Sequence, residues 1–95
     1  MWVNHMTIIE VFKEAERICK KRNVEHLYLF GSYAKGFQTA SSDVDFFVKG
    51  ASDFSELQEE LSGIPTLKKI DVINYDECTN VLLKEDMDRY GKQIY

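Results

Sequence analysis

Three features of this 95-residue chain are spaced for chemistry on phosphate: the pair Gly31-Ser32, the triplet Asp43-Val44-Asp45, and Asp71 alone among Ile70, Val72 and Ile73. Successive strand side chains point to opposite faces, so Asp43 and Asp45 project the same way with Cα atoms about 6.5 to 7 Å apart. Like charges at that spacing raise each other's pKa unless a cation neutralises them, and a strand of Val, Phe and Val has no structural need for the pair. A divalent metal resolves the conflict. Magnesium takes oxygen ligands and keeps water or substrate phosphate in its shell. With a third carboxylate, two metals can hold the attacking and leaving oxygens of an in-line phosphoryl displacement, and Asp71 is the candidate. If a helix begins at Ser32, its free N–H groups and positive dipole end suit a phosphate, and Gly31 lets the backbone approach it closely. Lys35 can add a positive charge there or simply be solvated. Taken one at a time these features are ordinary: most Gly-Ser pairs are only turns, and an Asp-x-Asp on an edge strand is usually a solvated face. Their coincidence at short, definite separations is what points to chemistry.

The surrounding pattern supplies elements to position them. Ile8, Phe12, Ala15 and Cys19 fall on one helix face, widened by Val11 and Ile18, which predicts a helix from Thr7 to about Arg22. The run Lys20-Lys21-Arg22 complements the negative end of that helix. Leu27 to Phe30 reads as a buried strand that runs into the Gly-Ser turn, Phe37 to Ser42 as a loop, and Asp43 to Val48 as a second strand. Asp53 and Glu56 resemble a capping box for a helix carrying Phe54, Leu57 and Leu61, ended by Gly63 and Pro65. Lys69 to Ile73 reads as a third strand. Asp76 is the expected cap of a last helix in which Leu83, Met87 and Tyr90 share a face up to Gly91, and Ile94-Tyr95 the expected short edge strand. The order is that of a small mixed α/β domain occupying residues 1–95 without repeat or linker.

Composition narrows the classes further. Sixteen acidic against twelve basic residues give a net charge of -4, which disfavours a nucleic-acid coat protein, a processive polymerase or any bare nucleic-acid strand as direct ligand. No apolar run approaches the roughly 18 residues of a membrane span, and Met1 to Met6 lead into a charged amphipathic stretch and carry no export signal. The expectation is a cytoplasmic protein with no membrane partner, in which Cys19 and Cys78 are free thiols. His5 and His26 have no evident partner.

Gly31-Ser32-Tyr33-Ala34-Lys35-Gly36, Ser42-Asp43-Val44-Asp45 and the later Asp71 resemble, in residue and spacing, the signature of the minimal nucleotidyltransferases of the DNA polymerase beta superfamily. The likeness runs over nearly the whole chain, from the leading helix to the Gly91 to Tyr95 ending. It implies the polymerase beta-like nucleotidyltransferase fold, a small mixed sheet flanked by helices. It further implies that Asp43 and Asp45 hold two Mg²⁺ ions, that Asp71 binds the catalytic metal and promotes attack by an acceptor hydroxyl, and that Gly31 and Ser32, with Lys35, hold the triphosphate of ATP. Lys35 stands where the family often has Arg, which keeps the charge without the bidentate fork. The loop Thr39-Ala40-Ser41 lacks the family's Pro and acidic residue, so its rigidity must come from elsewhere.

Larger relatives carry further domains that grip the acceptor, and these 95 residues leave no room for one. The family's usual partner is a small helical HEPN protein, often a ribonuclease toxin, and some members transfer AMP to a tyrosine of that toxin. The resemblance therefore implies an antitoxin acting as a protein adenylyltransferase, in a hetero-oligomer or homodimer. Two alternatives stand beside it: a module that inhibits its partner by contact alone, using aromatics such as Trp2, Tyr33, Phe37, Tyr90 and Tyr95, and a small-molecule nucleotidyltransferase of the antibiotic-modifying kind.

Overall fold

The computed structural model describes residues 6–95, so Trp2 and His5 lie outside the described residues. Helix α1 spans Ile8–Lys21. Thr7 accepts from the Glu10 amide while the Glu10 side chain accepts from the Thr7 amide, a complete capping box, and Arg22 closes the helix. Strand β1 (His26–Phe30) passes without a loop into the short helix α2 (Gly31–Lys35). Strand β2 (Val44–Lys49) follows, then α3 (Phe54–Ser62), β3 (Ile70–Asn74), a single 3₁₀ turn (Tyr75–Glu77), α4 (Val81–Tyr90) and β4 (Lys92–Gln93).

The sheet runs β3-β2-β1-β4, with β1 antiparallel to β2 and β4, and β2 parallel to β3. The parallel pair needs a crossover, and α3 supplies it. Alternation along the strands sorts the side chains onto two faces. Leu27, Leu29, Val44, Phe46, Val48, Ile70 and Val72 pack with Val11, Ala15, Ile18, Cys19, Leu57 and Leu61 of α1 and α3 to form the main core. On the opposite face Phe30 and Phe47 pack against Met87 of α4. Asp45 and Asp71 belong to this second face and stay half-exposed. Burial pushes the Cys19 thiol up to about 12, an inert core group, whereas Cys78 is half-buried; both are free.

The basic end of α1 does more than answer the helix dipole. Lys21 Nζ and Arg22 Nε donate to the Glu60 carboxylate at 2.8 and 2.6 Å, tying α1 to α3. Asp53 accepts from the Glu56 amide, but Glu56 turns to Arg22, so only half of the expected capping box forms.

Two expectations at the C-terminal end are corrected. Asp76 does not cap the last helix. It lies in the 3₁₀ turn and accepts the Gly50 amide at 2.7 Å, fastening the end of β2, while Asn80 caps α4 through the Leu83 amide. Replacing Asn80 with Ala should therefore lower unfolding stability by about 1 kcal/mol in denaturant titration. The edge strand is Lys92–Gln93, two residues earlier than Ile94-Tyr95, although those residues continue the pairing through backbone bonds to Leu27. Tyr95 is also a structural residue: its hydroxyl donates to the Val24 carbonyl at 2.7 Å. No helix among the described residues is long and apolar enough to cross a membrane.

Candidate active site

The parallel register places Asp45 directly beside Asp71, with Phe30, the last residue of β1, on its other side. Because α2 starts at once after Phe30, the Gly-Ser turn is delivered to the same end of the sheet. Gly31 has φ +68°, and a Cβ there would stand 2.3 Å from Asp45 Oδ2. Only glycine combines that backbone conformation with that approach. Helix α2 begins at Gly31, one residue earlier than expected, and no side chain caps it; Ser32, its second residue, is half-buried. Asp43 lies one residue before β2 and is exposed, so it reaches the cluster from a loop end.

The electrostatics show that the carboxylates converge. The Asp45 carboxyl is held above its ordinary value, first by burial, then by the charges of Asp71 and Asp43, with a hydrogen bond to Asp71 acting in the same direction and Lys69 opposing. Lys69 Nζ stands 3.7 Å from Asp71 Oδ1. No group of three His, Cys, Asp or Glu among the described residues is already arranged around a single point. The donor set nonetheless suits a hard divalent cation: it is all oxygen and in mutual repulsion, and a bound cation would relieve the cost that Asp45 bears.

Asp45 and Asp71 line an open groove whose other wall includes Gln58, Ser62 and Lys68. A second groove runs from Asp43 along Ala40–Ser42 and Thr66–Lys69. The remaining candidate, Lys35, makes no ion pair with these carboxylates. It is exposed in the last turn of α2 with Nζ 4.6 Å from the centre of the Tyr90 ring, a cation–π contact across to α4.

A model described as polymerase beta, nucleotidyltransferase matches residues 8–95. The chain belongs to the polymerase beta nucleotidyltransferase family. A Methanocaldococcus jannaschii protein named as a protein adenylyltransferase is 35% identical to this nucleotidyltransferase over 89 residues, covering 85% of this chain and 88% of the relative. Among solved structures, a toxin–antitoxin crystallised with AMP-PNP matches with a TM-score of 0.71 at 25% identity, over 88% of this chain and 72% of the matched one. A mutant of the toxin–antitoxin MntA-HpeT matches with a TM-score of 0.67 at 25% identity, over 87% and 70% of the two chains. The fold is therefore that of a nucleotidyltransferase, as the glycine-serine and aspartate signature implied.

Two residues that border this candidate site were not among those expected. Lys68 and Lys69 border both grooves. Lys69 had a legible signal, since it stands two residues before Asp71 and so shares its strand face. Lys68 had none, because its partners are carbonyls 26 and 28 residues away. The loop before β2 is held without proline: the Thr39 amide donates to Ser42 Oγ at 2.8 Å and the Ser42 amide to the Thr39 carbonyl at 3.1 Å.

Proposed function

We propose that this nucleotidyltransferase transfers AMP from ATP to a protein hydroxyl, a tyrosine of a helical HEPN-type toxin, and thereby acts as its antitoxin. The observation that carries the reading is the abutment of Gly31 on the Asp45 carboxylate, beside Asp71. It brings the glycine-serine turn and a charge-strained acidic cluster to one point of the sheet, which is what a metal-bound phosphate needs. The relatives favour protein as acceptor and a toxin as partner.

In this reading Asp43, Asp45 and Asp71 hold two Mg²⁺ ions, which when bound neutralise charge on the triphosphate and on the attacking oxygen. Gly31 and Ser32 orient the β- and γ-phosphates through backbone N–H groups and the serine hydroxyl. Asp71 faces the acceptor hydroxyl and draws on its proton as that oxygen attacks the α-phosphorus and pyrophosphate leaves. Lys35 contributes charge to the triphosphate from the rim. In this role it serves binding and not the reacting atoms, so Lys35→Ala should raise KM for ATP about 5- to 30-fold, the loss of one charge-assisted contact worth about 1 to 2 kcal/mol, with kcat little changed. Steady-state kinetics at saturating Mg²⁺ measure it.

The deciding experiment incubates the chain with its co-purifying partner, Mg²⁺ and each α-labelled nucleoside triphosphate in turn, with Asp43→Asn in parallel. Label on a partner tyrosine from ATP, absent with Asp43→Asn, is the expected result. Full inhibition of the partner by Asp43→Asn with no label transferred would make the chain a contact inhibitor. Label on small molecules alone would overturn the protein acceptor.

A further inference from the structure

We infer that Lys68 is a positioning residue that sets Asp43 for metal binding. Asp43 is the one carboxylate of the three that lies outside a strand, so its position depends on the loop that carries it and on the one backbone bond that follows it into β2. What fixes it is the segment before β3. Lys68 Nζ donates to the carbonyls of Ala40 at 2.8 Å and Ser42 at 3.4 Å, and stands 5.6 Å from the centre of the Tyr33 ring. The Ser42 carbonyl belongs to the peptide that enters Asp43. One residue further, the Val44 amide donates to the Lys69 carbonyl at 2.9 Å, fastening the peptide that leaves the loop for β2.

One ammonium thus ties three elements of the site: the loop that ends in Asp43, the helix α2 through Tyr33, and the approach to Asp71. An ammonium suits this role because it has three donors and no acceptor, so it can hold two carbonyls and an aromatic face at once. Lys68 is half-buried and lines the same groove as Asp43. The loop has no proline and no capping carboxylate, so its own Thr39–Ser42 bonds set its turn while Lys68 sets its position against the sheet. The inference rests on Asp43 being a metal ligand.

The sign of the effect separates positioning from simple charge. Lys68 is itself a cation near the site, so removing it should tighten binding of a divalent ion if only Coulomb repulsion mattered. Loss of an outer support that orients a ligand weakens metal binding instead.

The test uses the full chain without nucleotide and Mn²⁺ as probe, with free Mn²⁺ read by electron paramagnetic resonance. Lys68→Met is expected to bind Mn²⁺ about 10-fold more weakly, the usual cost of losing an outer-shell partner, and Lys68→Arg to recover wild-type binding. Amide exchange over residues 39–43 should speed up in Lys68→Met at an unchanged melting midpoint, a change that general destabilisation would not confine to this loop. Lys68→Gln serves the same comparison if the Met substitution unfolds the chain. Mn²⁺ binding by Lys68→Met as tight as wild type or tighter overturns the inference. Asp43→Asn separates this from failure of the underlying reading: if it binds Mn²⁺ like wild type, Asp43 is no ligand and both fall. If it loses Mn²⁺ while Lys68→Met keeps it, only the role of Lys68 is lost.

Discussion

Asp45→Asn should sharply reduce nucleotide transfer and, in chelator, raise the melting midpoint of the same protein. The two effects have one cause. Asp45 sits between Phe30 and Asp71 with Gly31 against its carboxylate, where burial and the charges of Asp71 and Asp43 hold its pKa up. A carboxyl whose folded pKa exceeds its unfolded value contributes stability at low pH, when it is protonated in both states. That contribution is lost as pH rises through the folded value. At neutral pH without divalent cation the charge is therefore a net cost, which Asn removes at nearly constant shape. The advantage of the variant should vanish below the ordinary carboxylate value of 3.8 and open as pH climbs above it, as thermal melts across pH would show. Mg²⁺ should reverse the order by stabilising only the wild type, since a ligand stabilises the state that binds it. Transfer should fall by roughly 10³-fold, the loss of several kcal/mol of charge stabilisation at the reacting phosphate. An Asp45→Asn protein that still labels the partner would remove this carboxylate from the mechanism.

Gly31→Ala should cost activity out of proportion to stability, and Gly36→Ala should do the opposite. Both glycines have positive φ, +68° and +81°, so an added Cβ strains the backbone at each by about 1 to 2 kcal/mol. Only at Gly31 does the Cβ meet a functional group, at 2.3 Å from Asp45 Oδ2; at Gly36 it meets nothing within 4 Å. The carboxylate must move, and a displacement on the order of 1 Å in a reacting constellation costs about 10²-fold in rate. Denaturant titration should thus show two similarly weakened proteins, and labelling assays only one strongly slowed enzyme. Equal activity in the two variants would mean that the contact between Gly31 and Asp45 has no catalytic meaning.

The candidate carboxylates were legible because each breaks a rule of its own element. Asp43 and Asp45 put paired charge beside an apolar run, and Asp71 stands alone among Ile70, Val72 and Ile73. A strand period of two then predicts the face of Asp45 and Asp71, whereas Asp43 lies at a loop end just before β2, not in the strand as its alternation suggested. The amphipathic stripe of α1 and its Thr7 cap were equally plain, since helix periodicity and capping are local properties. The last helix shows where local reading ends. Asp76 and Asn80 are both good capping types and lie four residues apart. The choice fell to Asn80 because Asp76 is engaged by the Gly50 amide, a residue 26 positions away.

By itself, then, the sequence determined which residues carry the charge, which strand face Asp45 and Asp71 occupy, and that a glycine-serine turn follows β1. All of these depend on neighbours within one turn or one strand. Only the tertiary structure decided that Asp45 pairs with Asp71, because strand order and parallel register are set by how β2 and β3 bury their apolar faces on α1 and α3. It also decided that Lys35 leans on Tyr90 at the rim while Lys68, silent in the sequence, grips the loop before Asp43. A lysine's reach and partners follow from packing, and neither its type nor its position in the chain encodes them.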